Sequence, residues 1–280
     1  MSRLSAARPV LKWAGGKTRL VEAICARLPE QIETYYEPFM GGAAVFFALA
    51  KRGQFKRAAL SDRNPELVNV YTSLQTHVDA VIKELGKWKY DEVTYYRVRD
   101  RFKRNPSPEE RAARTIYLNK TGYNGLYRVN RAGEFNVPFG RYTNPTICDE
   151  RNLRLVAAVL KDVTLCECDF QAACENATRG DAVYFDPPYM PLSDTAYFTA
   201  YDRHPFGLEE HQRLAAVFSA LAKRKVTAVL SNSDTPETQR LFKQWAMEQV
   251  QVPRAINSRA SSRGPVSELL VVNLKTNSRK

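Results

Sequence analysis

The feature that most constrains the fold is a rhythm. Short apolar runs of strand length alternate with longer stretches of helical periodicity. The runs are Thr34–Phe39, Arg57–Asp62, Asp162–Glu167, Ala182–Asp186, Val226–Ser231 and Leu269–Leu274. Gly41-Gly42 opens an apolar helix through Ala50, Asn64-Pro65 starts another, and helical patterns cover roughly 149–160, 208–223 and 235–246. Strands this apolar need cover on both faces, and the helices between them supply it. The pattern predicts an open α/β sheet with helices on both sides. The last strand follows closely on Val250–Val252, which predicts an antiparallel pair at one edge. Residues from about 70 to 142 break the rhythm. They are rich in Tyr and Arg, mostly helical, and end near Arg131-Ala132-Gly133-Glu134, a predicted hairpin turn. This stretch reads as an insertion, with residues 1–69 and 143–280 forming the sheet domain.

Charge separates along the same lines. The 280 residues carry 42 Lys+Arg against 30 Asp+Glu, a net of +12. Residues 97–141 hold eleven basic and four acidic side chains, residues 251–280 hold six and one, and the remainder cancels. One basic surface built from two separated segments suits a phosphate backbone, although a solvated helix face plus a basic tail has the same charge. No apolar run reaches the roughly 18 residues of a transmembrane helix, and the first residues lack the apolar core of a secretory signal. Five cysteines (Cys25, Cys148, Cys166, Cys168 and Cys174) form no repeated CxxC pairs, and only three histidines are present. A reduced, cytoplasmic protein without a structural zinc site is expected.

Chemistry concentrates in four segments. Asp186-Pro187-Pro188-Tyr189 follows the apolar run Ala182–Phe185, at a strand's C-terminal end, where open α/β sheets place their sites. Two prolines remove two backbone donors. What remains is the Asp186 carboxylate and the Pro187 carbonyl beside the flat ring of Tyr189, a set that suits a planar ring bearing an NH₂ group. Two acceptors on that amine would localise its lone pair on nitrogen. An ordinary strand-ending Asp-Pro turn is the bland reading. Glu37-Pro38-Phe39-Met40-Gly41-Gly42 lies between a strand and a helix, where glycines let a ligand approach the backbone. Asp62, at the end of the next strand, stands where an acid typically holds ribose hydroxyls. The GxGxxG spacing is absent, so a nucleoside cofactor without phosphates fits better. Lys12-Trp13-Ala14-Gly15-Gly16-Lys17 ends like a P-loop, but Leu11 stands where the pattern needs glycine. In Asn119–Arg141, Asn and Arg side chains interleave with aromatics, as base readout requires; a surface hairpin with solvated charges is the alternative.

Together these segments resemble the Dam-type, α-ordered DNA adenine-N6 methyltransferases. The resemblance runs from Leu11-Lys12-Trp13-Ala14-Gly15-Gly16-Lys17 to Glu268-Leu269-Leu270, in the family's motif order, and Phe198-Thr199-Ala200-Tyr201 and Leu230-Ser231-Asn232 also look familial. It implies a Rossmann-like methyltransferase sheet with an inserted, mainly helical target-recognition domain, 70–142, containing a β-hairpin. It implies S-adenosylmethionine as methyl donor and double-stranded DNA as substrate, with no membrane and no obligate protein partner. Trp13, Lys17, Glu37, Phe39, Gly41, Asp62, Asp169, Phe170 and Asp186 would meet the cofactor. Asp186, Pro187 and Tyr189 would form the adenine pocket. Lys12, Asn124, Leu126, Arg128, Pro138, Arg141 and Tyr142 would read, wedge or pack against DNA, and Arg259 and Arg263 would meet phosphates. The best-known family members methylate the adenine of GATC. This chain keeps Tyr123-Asn124-Gly125-Leu126 and Arg128 but has Lys120-Thr121 in place of an Arg-Tyr pair. Methylation of RNA adenine, and a catalytically silent DNA-binding protein, are the competing readings.

Overall fold

The structure, a computed structural model, describes residues 7–13, 20–100, 105–130, 132–189, 206–252 and 266–275. At its centre lies a sheet of strands β1 (Ile32–Glu37), β2 (Phe55–Asp62), β3 (Thr164–Glu167), β4 (Ala182–Phe185), β5 (Thr227–Ser233), β6 (Trp245–Val252) and β7 (Val266–Lys275). The seven strands run in the order β3-β2-β1-β4-β5-β7-β6. The first five are parallel, and β7 is antiparallel to both its neighbours. This is the expected Rossmann-like α/β sheet. The chain reverses its direction of travel across the sheet between β1 and β4, so the loops leaving these two strands diverge and open a crevice.

The apolar runs become strands because both faces of the sheet are covered. Alternate residues of β4 enter different cores: Ala182 and Tyr184 one, Val183 and Phe185 the other. The same split holds for Val229 against Ala228 and Leu230 in β5. Helices α1 (Val21–Cys25), α2 (Ala44–Arg52), α3 (Pro65–Leu85), α4 (Glu92–Asp100), α5 (Pro108–Thr121) and α6 (Glu150–Leu160) contribute to the first core. Helices α7 (Phe170–Ala173), α8 (Leu208–Lys223) and α9 (Pro236–Phe242) contribute to the second.

Two details differ from the sequence expectation. The helical pattern over 235–246 stops at Phe242, and Trp245 already begins β6. Phe242 and Trp245 both pack edge-on against Phe218, at 5.5 and 6.0 Å between centroids, and this three-residue spacing imitates a helix. The antiparallel pair does lie at an edge, but the final strand is interior, between β5 and β6, and β6 is the outer strand. Helix α3 crosses residues 69 and 70 without a break; its only non-helical residue is His77. Its buried Leu67, Val70, Tyr71 and Leu74 share one core with Tyr95 of α4 and Ile116, Tyr117 and Leu118 of α5. Asn64 caps α3 by accepting from the Glu66 N–H at 3.0 Å, and Ser107 and Glu110 close a capping box on α5. Beyond α5, antiparallel bridges pair Gly122 with Phe139 and Val129 with Phe135, which forms the expected hairpin. Gly133 turns it with φ +80°, and the Asn130 N–H reaches the Glu134 carbonyl at 2.8 Å.

Asp181, 5% exposed, pins the entry to β4. Its carboxylate accepts from the backbone N–H of Thr34 in β1 at 2.9 Å and of Thr178 at 2.8 Å. Replacing Asp181 with Ala removes a buried carboxylate and both of its hydrogen bonds to the Thr34 and Thr178 N–H groups, and should cost about 1–3 kcal/mol of stability. Urea denaturation followed by circular dichroism measures the loss; a midpoint unchanged from the parent would contradict this role.

Candidate active site

The candidate site is built from the loops after β1, β2, β3 and β4. Glu37 ends β1 and is 3% exposed. Its Oε2 accepts from the Tyr35 hydroxyl at 2.8 Å and from the Phe46 N–H, in the first turn of α2, at 3.0 Å. Burial pushes its carboxyl up to about 8; the Tyr35 hydrogen bond opposes this and the nearby Asp186 charge adds to it. Glu37 therefore stays mostly protonated at neutral pH. Between Glu37 and α2 the backbone turns tightly, with φ +43° at Gly41 and +52° at Ala43. The Gly41 N–H bonds Asp62 Oδ2 at 3.2 Å, and the Tyr71 hydroxyl donates to the Gly41 carbonyl at 3.2 Å. A Cβ on Gly41 would stand 2.8 Å from Trp13 Cδ1, so glycine is what lets the indole close over this loop.

Asp186 leaves β4 half-buried, with Pro187 buried and Pro188 exposed. The fully buried Ser231 of β5 donates to Asp186 Oδ1 at 3.2 Å. Its single proton is thereby used, so the contact of 2.8 Å between Ser231 Oγ and the Tyr184 hydroxyl has Tyr184 as donor. Burial and the Asp186 charge hold the Tyr184 phenol well above its ordinary pKa, and it keeps its proton. A relay from Tyr184 through Ser231 thus aims the Asp186 carboxylate. Tyr189 is anchored by donating its hydroxyl to Glu268 of β7. Behind the turn sits His211, fully buried, with Nδ1 2.9 Å from the Gly207 carbonyl. Burial lowers its pKa, against the Gly207 and Pro188 carbonyls that face it, so the ring is neutral at pH 7.

Asp169 and Phe170 lie on the far wall. Asp169 caps α7 and takes two bonds of 2.8 Å from Arg213 of α8. Burial works against its charge, but the Arg213 hydrogen bonds prevail and hold the carboxyl below its ordinary range. Phe170 is buried, stacked on half-exposed Phe39 at 5.5 Å and covered by the Arg213 guanidinium at 4.3 Å. The sequence-derived site residues Trp13, Glu37, Phe39, Gly41, Asp62, Asp169, Phe170 and Asp186 thus lie on, or just beyond, the C-terminal ends of β1 to β4, except Trp13, which reaches them from the N-terminal segment. Lys17, Arg259 and Arg263 lie outside the described residues. Lys12, Asn124, Arg128, Pro138 and Arg141 are exposed, and Leu126 and Tyr142 half-buried. Arg128 is steadied by Asn136, with Nε 2.7 Å from Oδ1 and Nη2 3.1 Å from the carbonyl oxygen. The relay residue Tyr184, the clamps Glu268 and Arg213, and the buried His211 carry no spacing signal of their own. Ser231 and Glu268 stood only inside segments that looked familial.

Comparison with known proteins shows the family. Residues 13–256 match the model of the D12 class N6 adenine-specific DNA methyltransferases, and the chain belongs to that family. It is 40% identical to the type II methyltransferase M.MjaIII of Methanocaldococcus jannaschii, over 95% of this chain and 99% of that one. It is 36% identical to the DNA adenine methylase of Escherichia coli K12, covering 95% of each chain. Among solved structures it is similar to the 23S rRNA methyltransferase ErmE, with a TM-score of 0.39 and 11% identity over 95% of this chain and 70% of that chain. The protein is an adenine-specific DNA methyltransferase, and its methyl donor is S-adenosylmethionine. The residues fit that donor. The carboxylates of Asp62 and Asp186, at the C-terminal ends of β2 and β4, suit a sulfonium cation, and the stacked rings of Phe39 and Phe170 suit an adenine ring. Among the described residues, no helix is long and apolar enough to cross a membrane.

The raised Glu37 pKa has a consequence for stability. The folded state binds a proton on Glu37 that the unfolded chain releases between about pH 4.5 and 8, so this contribution is full below pH 4.5 and lost as pH rises through 8. Glu37→Gln, neutral at every pH, should flatten the fall in melting temperature over this window relative to the parent. Parallel melting curves for both proteins would refute the assignment.

Proposed function

We propose that this enzyme methylates the adenine of GATC in double-stranded DNA, extruding the base into a pocket made by Asp186, Pro187 and Tyr189. The observation that carries the reading is the fixed Asp186 carboxylate, aimed by Ser231 and Tyr184 beside the Tyr189 ring. Extrusion costs a few kcal/mol, offset by stacking on Tyr189 and by hydrogen bonds to the amine. Asp186 and the Pro187 carbonyl accept from the two amine hydrogens, which localises the nitrogen lone pair. As positive charge develops on nitrogen, Asp186 stabilises it without reorganising, because its relay is already in place. S-adenosylmethionine would supply the electrophilic methyl group: the N–C bond forms as the S–C bond breaks, S-adenosylhomocysteine leaves, and one amine proton is then released to solvent. Trp13, Lys17, Glu37, Phe39, Gly41, Asp62, Asp169 and Phe170 hold it, directly or as the wall behind it.

On the DNA side, residues 70–142 act as the recognition unit. Lys12, Asn124, Leu126, Arg128, Pro138, Arg141 and Tyr142 read or pack against the duplex, and Arg259 and Arg263 neutralise phosphates. The exposure of Asn124, Arg128 and Pro138 on and beside one hairpin supports this. So does the retained Tyr123-Asn124-Gly125-Leu126 with Arg128, shared with the pattern of the GATC methylases. The enzyme works in the cytoplasm without an obligate protein partner; five unpaired cysteines fit a reducing compartment.

DNA from a host expressing the enzyme, sequenced with modified bases identified directly, should carry N6-methyladenine in GATC, and the Asp186→Ala variant should leave it unmodified while binding DNA as the parent does. Methylation by that variant, or a mark in another context, overturns the corresponding part of the proposal. Arg128→Ala should reduce discrimination at one base pair by about 1–3 kcal/mol. Steady-state rates on all single-pair variants of the site test this, and an unaltered ranking removes Arg128 from the readout.

A further inference from the structure

Two buried asparagines hold the N-terminal segment in the same way, and only one of them touches the hairpin. Asn152 of α6 accepts from the Arg8 N–H at 3.1 Å and donates to the Arg8 carbonyl at 3.0 Å. Asn119, in the last turn of α5 and 3% exposed, accepts from the Lys12 N–H at 2.8 Å and donates to the Lys12 carbonyl at 2.8 Å. Each amide thus mimics a paired strand across one peptide. Asn119 does more: its Nδ2 also donates to the Gly125 carbonyl at 2.9 Å. Both amide hydrogens and one oxygen lone pair are then committed, away from water.

The two groups joined by Asn119 are stiff. Gly125 holds φ +64°, and a Cβ there would lie 2.7 Å from Lys12 Cδ, so the turn and the lysine stem are in direct contact. The preceding Asn124 is held at φ +54°, a conformation uncommon for a residue with a side chain. On the other side of Lys12, Trp13 packs over Gly41 of the cofactor loop and against Tyr127 of the hairpin, with centroids 5.1 Å apart. From Gly41 the contacts continue to Asp62. A shift of the Asn124–Leu126 turn therefore has a short, fully packed route to the loop after β1, and Asn119 is its joint.

We propose that Asn119 is a positioning residue that couples DNA readout to cofactor binding. It sets the Asn124–Leu126 turn and Lys12 in register with Trp13, so that engagement of the cognate site and engagement of the cofactor favour the same arrangement. Such coupling is reciprocal: whatever DNA does to cofactor affinity, cofactor does to DNA affinity. The inference rests on the proposed roles of Lys12 and Asn124 at DNA and of Trp13 at the cofactor.

The test measures binding, not turnover alone. Calorimetry gives the affinity for S-adenosylhomocysteine with no DNA, with a cognate GATC duplex and with a duplex altered at one pair; fluorescence anisotropy gives the converse affinities. Asn119→Ala should abolish the difference that cognate DNA makes to cofactor affinity and narrow the cognate preference by about tenfold. Asn119→Asp, which keeps the acceptor for the Lys12 N–H and loses both donors, should do the same if the alanine variant folds poorly. Asn152→Ala is the structural control; it should lower the melting temperature and leave the coupling intact. Equal effects of the Asn119 and Asn152 variants, or coupling that survives in both Asn119 variants, overturn the inference. Lys12→Ala separates the two levels: unchanged DNA discrimination in that variant means the underlying assignment of Lys12 has failed, whereas altered discrimination there with intact coupling in the Asn119 variants means only the role of Asn119 has.

Discussion

The proposed chemistry depends on where one carboxylate is held. Asp186 stands at the end of β4, a strand buried along its whole length. Tyr184, two residues earlier, points into the core on one side, so its hydroxyl can meet Ser231 of the neighbouring strand, and Ser231 in turn meets Asp186. Parallel pairing of β4 with β5 fixes that meeting, with Phe185 level with Leu230. A chain break or register slip between these strands would dissolve the relay before it touched any residue of the pocket.

The same crevice gathers several carboxyl groups, which repel one another unless each is managed. The structure manages them differently. Glu37 is buried and carried mainly protonated, which spares Asp186 a neighbouring charge. Asp169 is neutralised by two bonds from Arg213. Asp62 is engaged by the backbone N–H groups of Gly41 and Asn64. Asp186 faces outward from a hydroxyl relay. Four carboxyl groups close together in the fold are thus held in four different environments, each set by its own partners.

The stretch from 70 to 142 is not a detached module. Helix α5 delivers buried side chains to the core that lines the sheet, and its last turn delivers Asn119 to the hairpin and to the N-terminal segment. Tyr95 of α4 donates to the Val137 carbonyl at 2.9 Å, and Tyr90 donates to the Gly140 carbonyl and accepts from the Tyr142 N–H, both at 2.6 Å. The hairpin is thus fastened to the helices from beneath while Arg128 and Asn124 stay at the surface.

By itself the sequence determined the α/β class of the sheet, most of its helices, the hairpin turn and the place of Asp186 just after a strand. These follow from local pattern: apolar runs too short for helices, glycines at sharp turns, prolines that strip a corner of donors. It also carried, through motif order, the family and its methyl donor. What it could not determine were contacts between residues far apart in the chain. The i, i+3 spacing of Phe242 and Trp245 read as helix because periodicity does not say which partner a side chain will find. Ser231 beneath Asp186, Glu268 on Tyr189, Arg213 on Asp169 and Asn119 between Lys12 and Gly125 became visible only on folding. Each is an ordinary polar residue in sequence; only burial beside one particular partner gives its hydrogen bonds their weight.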